Sequence, residues 1–251
     1  MLRTINVLRF FAVATLVSFL MGCAATQVAI SKRELDVQTK TSTAIFVDPV
    51  ARDKRTVYLD IRSGVMEFDR RAFKQFVKEQ FAQNDNGYKI IDDPERAHFH
   101  MSVYVLNLEK ASPTAAEAAL RAGFVGDVAA GATAGALMNS GNSYRGAAMG
   151  GLLAAGASTV ANAFVKDVTY MLVADVQIKE KTRKGVIVRK DSQISAKISD
   201  AGSSTQRVSE ATNRKEYRTR IVTTANKVNL KLEEARDLMF KKTAYAMAGF
   251  F

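Results

Sequence analysis

The sequence predicts an α+β fold, a small mixed domain of strands and helices in the periplasm. Stretches with period-two alternation of apolar residues predict strands, and stretches with apolar residues at helical spacing predict helices. Between them, residues 122–165 change abruptly to a composition of 13 Ala and 9 Gly in 44 residues. We therefore expect a discontinuous domain over 43–118 and 167–251, interrupted by a Gly/Ala-rich helical hairpin over 119–166.

The N-terminus has the pattern of a cleaved lipoprotein signal peptide. Two arginines precede an apolar run over 10–21, and the chain's single cysteine, Cys23, follows. This order is typical of a secretory signal, and the run is shorter than the ~20 apolar residues that a bilayer span needs. The residues before Cys23 fit a bacterial lipobox, so we predict a signal peptide over 1–22 and an acylated Cys23, carrying palmitate or a similar chain, that anchors the protein in membrane lipid. Ala24 favours sorting to the cell outer membrane.

Residues 23–42 are polar with scattered apolar positions and are predicted to be a lipidated tether. The whole chain is basic, with 36 Lys and Arg against 25 Asp and Glu and a net charge of +11 at pH 7. Basic residues that bind nucleic acid cluster among aromatic residues, whereas here they are spread along the chain and Trp is absent. We therefore expect no nucleic-acid partner, and we take lipid phosphates and lipopolysaccharide as the polyanions nearby.

The first half of the domain predicts the order β-β-α-β-β. Val57, Leu59 and Ile61 alternate within the second predicted strand. Apolar residues recur at helical spacing from Phe68 to Phe81, and an Asn-Asp-Asn-Gly turn then ends the predicted helix. The predicted elements are strands over 43–50, 55–63, 88–92 and 98–110 and a helix over 67–87.

The α+β pattern resumes after the Gly/Ala-rich segment. Alternation over 167–182 predicts a long strand. The residues expected on one face of it are Tyr170, Leu172, Ala174, Val176 and Ile178. The polar residues 190–206 are predicted to be a turn or an irregular loop, and 215–236 to be another long strand. The C-terminal residues predict a helix with Ala235, Met239 and Ala246 facing inward.

The Gly/Ala-rich segment is predicted to be a membrane-inserted helical hairpin. Each arm would be about 25–30 Å long as a helix, close to the thickness of a bilayer core. Small or polar residues recur every fourth position on one face of each arm, which lets helices pack closely in lipid. This stripe consists of Gly123, Asp127, Gly131, Gly135, Gly146, Gly150, Ala154 and Ser158. The alternatives are a flexible linker and a buried hairpin of a soluble domain. Asp127 at membrane depth favours a homo-oligomer with the stripes inward.

A polar loop separates the two arms. Its residues are Asn139, Ser140, Gly141, Asn142, Ser143, Tyr144 and Arg145. Binding residues are often found in such loops. If the hairpin crosses the membrane, this loop is the expected recognition site on the cell surface.

The residue sets that enzymes use are missing from the sequence. His98 and His100 lie on one face of a predicted strand, but zinc takes three or four ligands and the chain has no further histidine. Asp92 and Asp93 precede a proline and are typical of a turn. No glycine pattern fits a nucleotide-binding loop, and no serine fits a nucleophile elbow. We therefore predict no catalytic residues, no metal site and no cofactor.

Three stretches of the chain resemble the TraT family of outer-membrane lipoproteins. They are 29–49 (AISKRELDVQTKTSTAIFVDP), 165–182 (VKDVTYMLVADVQIKEKT) and 217–235 (YRTRIVTTANKVNLKLEEA), with the Gly/Ala-rich segment between the first two. The resemblance implies an oligomeric surface protein that provides surface exclusion, blocking redundant conjugative plasmid transfer, and complement resistance. It implies partners on the donor cell, either the mating pilus or mating-pair components. The alternatives are an outer-membrane channel or secretion component, and an envelope scaffold, built from the glycine-rich hairpins.

Overall fold

The computed structural model describes residues 32–124, 166–199 and 202–251. The strands are β1 (Asp36–Thr41), β2 (Thr56–Ser63), β3 (Lys89–Ile91), β4 (Phe99–Lys110), β5 (Asp167–Lys181), β6 (Val188–Ser199), β7 (Gly202–Thr212) and β8 (Arg214–Val228). The helices are a 3-10 turn (Arg52–Lys54), α1 (Arg70–Gln83), α2 (Pro113–Ala122) and α3 (Leu232–Ala248). A mixed sheet with three α-helices confirms the α+β class. The predicted signal peptide and most of the predicted hairpin lie outside the described residues.

Six strands form one sheet in the order β1-β8-β5-β4-β2-β3, and β6 and β7 form a separate two-stranded hairpin. In the six-stranded sheet, β2 runs parallel to both β3 and β4, and the other pairs are antiparallel. Parallel neighbours need a crossover connection, and α1 supplies it between β2 and β3. The long strands β5 and β8 pair along their whole length in the interior of the sheet.

One face of the sheet packs against α1 and α3 and forms the main core. The five residues of β5 predicted to share a face, from Tyr170 to Ile178, all belong to this core, as predicted. Three rings, Phe68, Phe73 and Phe240, join the helices with centroid distances of 5.1–5.2 Å. Aromatic pairs at such distances stabilise beyond the area they bury. The sheet and the two helices therefore fold around one aromatic centre.

Capping determines where α1 begins. The Asp69 carboxylate accepts hydrogen bonds from the backbone N–H groups of Arg71 and Ala72, both at 3.0 Å. These bonds satisfy donors that the first helical turn leaves without partners. The bond from Ala72 is also the main cause that lowers the pKa of Asp69. The predicted helix over 67–87 is thus confirmed but shorter, since the helix starts only after its cap.

The predicted tether contains an edge strand, which is a correction. β1 pairs antiparallel with β8, with Asp36 opposite Asn226. An edge strand has one neighbour and a largely exposed face, so it needs few apolar residues, and Val37 is the one residue of β1 that packs against the main core. Its sequence therefore resembles a polar tether.

The strand predicted over 43–50 is wrong, because this segment is an extended connection without strand pairing. Ile45 is buried in the main core, which explains the apolar pattern. Two backbone N–H groups of this segment bond to other parts of the chain. The Val47 N–H donates to the Phe250 carbonyl at 3.0 Å, and the Thr43 N–H donates to the Thr219 hydroxyl at 3.3 Å. The segment follows the core without joining a sheet.

Two predictions in the C-terminal half are also corrected. Of the polar residues 190–206, predicted to be a turn or an irregular loop, 190–199 and 202–206 lie in the antiparallel strands β6 and β7. The strand predicted over 215–236 ends at Val228, because Asn229 takes a left-handed conformation (φ 53°) and α3 begins at Leu232. In α3, Ala235 and Met239 are buried as predicted, whereas Ala246 is only partly buried.

Candidate membrane-anchoring site

Most of the predicted site residues lie outside the described residues. These are Cys23, the loop residues 139–145 and the stripe residues from Asp127 to Ser158. Gly123 is described, and it forms the C-terminal cap of α2 with φ 66° and ψ −166°. This backbone conformation is essentially restricted to glycine. Gly123 therefore ends a helix, whereas the predicted stripe began inside one, and the structure corrects that placement.

Sequence reasoning missed α2, although its signals are present. The Ser112 hydroxyl accepts a hydrogen bond from the Ala115 N–H at 3.2 Å, Pro113 occupies the first turn, and Gly123 follows the last residue. Serine before the helix, proline at its start and glycine at its end are the expected signals. The alanines of this helix run without a break into the Gly/Ala-rich segment, so composition alone does not separate the two.

α2 lies on the face of the sheet opposite α1 and α3. Its residues Ala116 and Ala119 are buried against Met171, Val173 and Val222, which form a second apolar cluster. Alanine side chains let a helix approach a sheet closely. The helix that leads into the Gly/Ala-rich segment is therefore fixed to β5 and β8.

A buried ion pair holds the end of α2. The Arg220 guanidinium binds both carboxylate oxygens of Asp175, at 2.6 and 3.0 Å, and its Nη1 donates to the Ala119 carbonyl at 3.2 Å. Ala119 is in the last turn of α2, where carbonyls lack helical partners. Both charged side chains are almost completely buried. Arg220 thus joins the sheet to the end of the helix from which the Gly/Ala-rich segment continues.

Phe124, which follows Gly123, also contacts the sheet. The Phe124 ring lies 5.1 Å from the Arg218 guanidinium carbon, in a cation–π arrangement. Such contacts contribute about 0.5–1 kcal/mol at exposed sites. The chain is therefore positioned up to the last residue that the structure describes before residue 166.

The chain returns from the Gly/Ala-rich segment beside the N-terminal linker. The Asn229 N–H donates to the Lys166 carbonyl at 2.7 Å, and the Lys166 N–H donates to the Asn229 side chain at 3.0 Å. The Val228 N–H donates to the Lys32 carbonyl at 3.0 Å. The Lys32 ammonium group pairs with the Asp167 carboxylate. We call this group, Lys32, Lys166, Asp167, Val228 and Asn229, the anchoring corner.

The anchoring corner lies within a short reach of Cys23. Lys32 is nine positions after Cys23, and nine extended residues span at most about 32 Å. An acyl chain on Cys23 would hold the corner within that distance of a membrane. The residue that follows the Gly/Ala-rich segment would then lie close to the same membrane.

In the described part of the chain, no helix is both long and apolar enough to cross a bilayer. Among residues 32–124, 166–199 and 202–251, no three His, Cys, Asp or Glu side chains are grouped so that they could hold a metal ion.

Comparison with known proteins identifies close relatives. One TraT complement resistance protein of Escherichia coli is 34% identical over 250 residues, covering 99% of both chains. Another, from Escherichia coli strain K12, is 33% identical over 232 residues, covering 92% of both. Among solved structures, a PelC dodecamer from Paraburkholderia phytofirmans matches 84% of this chain and 96% of its own, at 6% identity and a TM-score of 0.30. That score is too low to support an argument.

The family assignment rests on the match across the folded domain. The family model described as "Enterobacterial TraT complement resistance protein" matches residues 34–251, which include every described strand and helix. Because this match and the relatives above cover nearly the whole chain, the protein belongs to the TraT family of complement resistance proteins.

Proposed function

We propose that the protein is an oligomeric outer-membrane lipoprotein that provides surface exclusion and takes part in complement resistance. The anchor is the acylated Cys23, and the Gly/Ala-rich segment inserts in the same membrane. The loop 139–145 faces the outside and meets the mating pilus or mating-pair components of a donor cell.

The observation that carries this proposal is the anchoring corner. It joins the linker from Cys23 to the residue that follows the Gly/Ala-rich segment, through the Val228–Lys32 and Asn229–Lys166 backbone bonds. A lipid anchor and a membrane-inserted hairpin must reach the same bilayer. The corner supports this arrangement, since it brings both chain segments to one point of the domain.

Complement resistance is supported by the family. The family model and the Escherichia coli relatives carry that description. The test is survival in serum of cells with and without the gene. Equal survival, at equal levels of lipopolysaccharide and other surface components, would contradict this part of the proposal.

An epitope inserted between Gly141 and Asn142 tests the membrane arrangement. We expect an antibody to label this epitope on intact cells. The control is the same epitope between Gly185 and Val186, in the loop before β6, which we expect to be labelled only after the outer membrane is permeabilised. Labelling of the Gly141 epitope only after permeabilisation, in a lipidated protein, would place the loop inside the envelope and overturn the arrangement.

A mating assay tests surface exclusion directly. Recipients that lack the gene should accept a cognate plasmid more often than the wild type, and an unrelated plasmid equally often. Equal acceptance of the cognate plasmid would contradict the exclusion function.

The alternatives make different predictions. A channel or secretion component would conduct ions in planar bilayers, and a sealed oligomer would not. A scaffold whose hairpin packs only on protein would be released by carbonate treatment together with removal of the lipid. The family assignment favours neither alternative.

A further inference from the structure

A charged groove lies at the far end of the sheet from the anchoring corner. It is a cavity of about 340 Å³ between the start of β6 and the first half of β8, lined by Val188, Arg189, Lys190, Asp191, Thr212, Arg214, Glu216 and Arg218. The corner is at the Asp167–Val228 pair of the ladder and the groove is near the Lys181–Arg214 pair. Fourteen residues of strand span roughly 45 Å.

The groove has more positive than negative charge. Four of its side chains are Arg or Lys and two are acids. Both acids already have partners: Glu216 binds Lys190 at 2.7 Å as well as Arg218, and Asp191 accepts a hydrogen bond from Ser209 at 2.6 Å. Arg189 and Arg214 thus supply positive charge that these two acids do not neutralise.

Arg214 lines the groove from the start of β8. Its guanidinium donates to the His98 carbonyl at 3.3 Å and lies 3.2 Å from the His100 Nε2, which itself donates to the Pro94 carbonyl at 2.7 Å. Among the described residues, no carboxylate lies within ion-pair distance of it. Burial lowers the pKa of Arg214, although the charge of Glu95 opposes this effect. A desolvated cation without an adjacent anion is unfavourable.

Two histidines lie beside Arg214, and their lowered pKa values favour the neutral imidazole at pH 7. Burial lowers the pKa of His98, and the charges of Lys54, Lys181 and Arg214 add to the effect. Within the described chain, the buried Nε2 atom of His98 has no hydrogen-bond partner. The site can therefore accept negative charge without displacing an existing ion pair of Arg214.

We propose that this groove binds a phosphate group, with Arg214 and Arg189 donating hydrogen bonds to its oxygens. Guanidinium groups match phosphate geometry in a bidentate manner, and these charge-assisted bonds are among the strongest in proteins. The cavity volume is large enough for a phosphate with an attached group. Such a phosphate belongs either to a soluble molecule or to a lipid headgroup. Because the apolar residues Val186 and Ile187 are exposed next to the groove, binding of a lipid headgroup is measured separately.

The first experiment measures binding of inorganic pyrophosphate to the mature, acylated protein in non-ionic detergent by calorimetry, at constant ionic strength. We expect Arg214→Gln and Arg189→Gln each to weaken binding about tenfold, since each removes a charge-assisted hydrogen bond. The control is Arg71→Gln, an exposed arginine on α1 far from the groove. Equal affinity of Arg214→Gln and Arg71→Gln, or no binding to the wild type, would overturn the proposal.

NMR titration of the two histidines gives a second measurement of binding, independent of calorimetry. The chain contains only His98 and His100, so its imidazole NMR signals all come from this site. Bound phosphate should raise the pKa of His100, because it offsets the charge of Arg214. Because Arg189 is exposed, its substitution leaves the fold intact even if Arg214→Gln unfolds. Unchanged histidine titration with saturating pyrophosphate would contradict the site.

The source of the phosphate is distinguished by competition. Mixed micelles containing phosphatidylglycerol are compared with micelles containing phosphatidylcholine. Competition with pyrophosphate by the anionic lipid alone indicates a headgroup site, and pyrophosphate binding without such competition indicates a soluble ligand. Either result supports the site. The proposal does not depend on surface exclusion, and a failed mating assay leaves it unaffected.

Discussion

Arg220 and Asp175 bury two opposite charges on the sheet face that α2 covers. Removing charges from water is costly. The pair is tolerated because Arg220 binds Asp175 through two hydrogen bonds, in a bidentate arrangement, and donates a third to the Ala119 carbonyl. Substituting one partner leaves the other charge buried and alone, which is worse than removing both. The pair therefore stabilises the fold only while both partners are present, and its third bond attaches the last turn of α2 to the sheet.

Asp175→Ala should lower the free energy of unfolding by about 3–5 kcal/mol, because Arg220 is left buried without its anion. The double variant Asp175→Leu with Arg220→Met should recover most of that loss. Chemical denaturation followed by circular dichroism measures both. The control is Glu117→Ala on α2, whose exposed pair with Arg121 contributes no more than about 0.5 kcal/mol. A loss in Asp175→Ala no larger than in this control would contradict the role of the pair.

The histidines make stability depend on pH. Burial is the largest cause that lowers the pKa of His98 and His100 below 6.5, and Arg214 and Lys181 act in the same direction. The unfolded chain therefore binds more protons than the folded one, so stability falls as the pH drops below about 6.5. Carboxylates with lowered pKa, such as Glu216, add their own loss only below about pH 4.5.

We expect the free energy of unfolding to decrease between pH 7 and pH 5, and the variant His98→Gln with His100→Gln to show a smaller decrease. Urea titrations at each pH give the slope. An unchanged slope in the double variant would show that other groups cause the dependence.

At the scale of elements, α2 shows how a helix end directs the chain. Gly123 has φ 66° and ψ −166°, and a Cβ there would meet no atom within 4 Å. Any penalty for a side chain at this position is thus due to backbone strain and not to crowding. The direction in which the chain leaves α2 depends on this one residue.

Gly123→Ala should destabilise the end of α2 by about 1–3 kcal/mol, the range for residues held in such sparsely populated conformations. Hydrogen exchange of the α2 amides measures this locally. The control is Gly64→Ala, which has equal space but no positive φ and should be neutral or slightly stabilising. Equal exchange in the two variants would mean that the chain can leave α2 in another conformation.

The sequence predicts elements well where one period dominates. The β5 residues from Tyr170 to Ile178 were assigned to one face because alternation continues through the whole strand, and the structure confirms it. The α1 helix was predicted from its repeating phenylalanines. Both patterns depend on local spacing, which a single sequence contains.

The remaining elements depend on partners far along the chain. β1 is a strand because β8 lies beside it, and β6 and β7 are strands because each pairs with the other. Their polar residues give no local signal. The Arg220–Asp175 pair was missed for the same reason, since neither residue type indicates burial and only the sheet register brings the two together.

At the scale of the whole molecule, β5 and β8 are the two strands that contribute to every packed region described above. The main core, the α2 cluster and the anchoring corner all use residues of these two strands. The β6–β7 hairpin is attached at their end, where Lys181 faces Arg214. Its contacts with β8 include the partly exposed Lys190–Glu216 pair. The six-stranded sheet should therefore fold without the hairpin.

Replacing residues 182–213 by Asn-Gly would join Lys181 to Arg214 with a two-residue turn suited to antiparallel strands. We expect the free energy of unfolding to change by no more than about 1–2 kcal/mol, because the shorter loop offsets the lost contacts. Thermal unfolding measures the change. The control is removal of residues 43–54, which takes away the buried Ile45 and should unfold the domain. Loss of folding in the Asn-Gly variant would show that the hairpin belongs to the folding unit.

The pairing of β1 with β8 has a consequence for the order of events during biogenesis. Asp36 and Asn226 are about 190 residues apart in the chain, so β1 has no strand to join until nearly the whole polypeptide has been synthesised. Until then residues 36–41 cannot take their place in the sheet. If Cys23 is acylated as proposed, cleavage and acylation can therefore precede the pairing of β1 with β8.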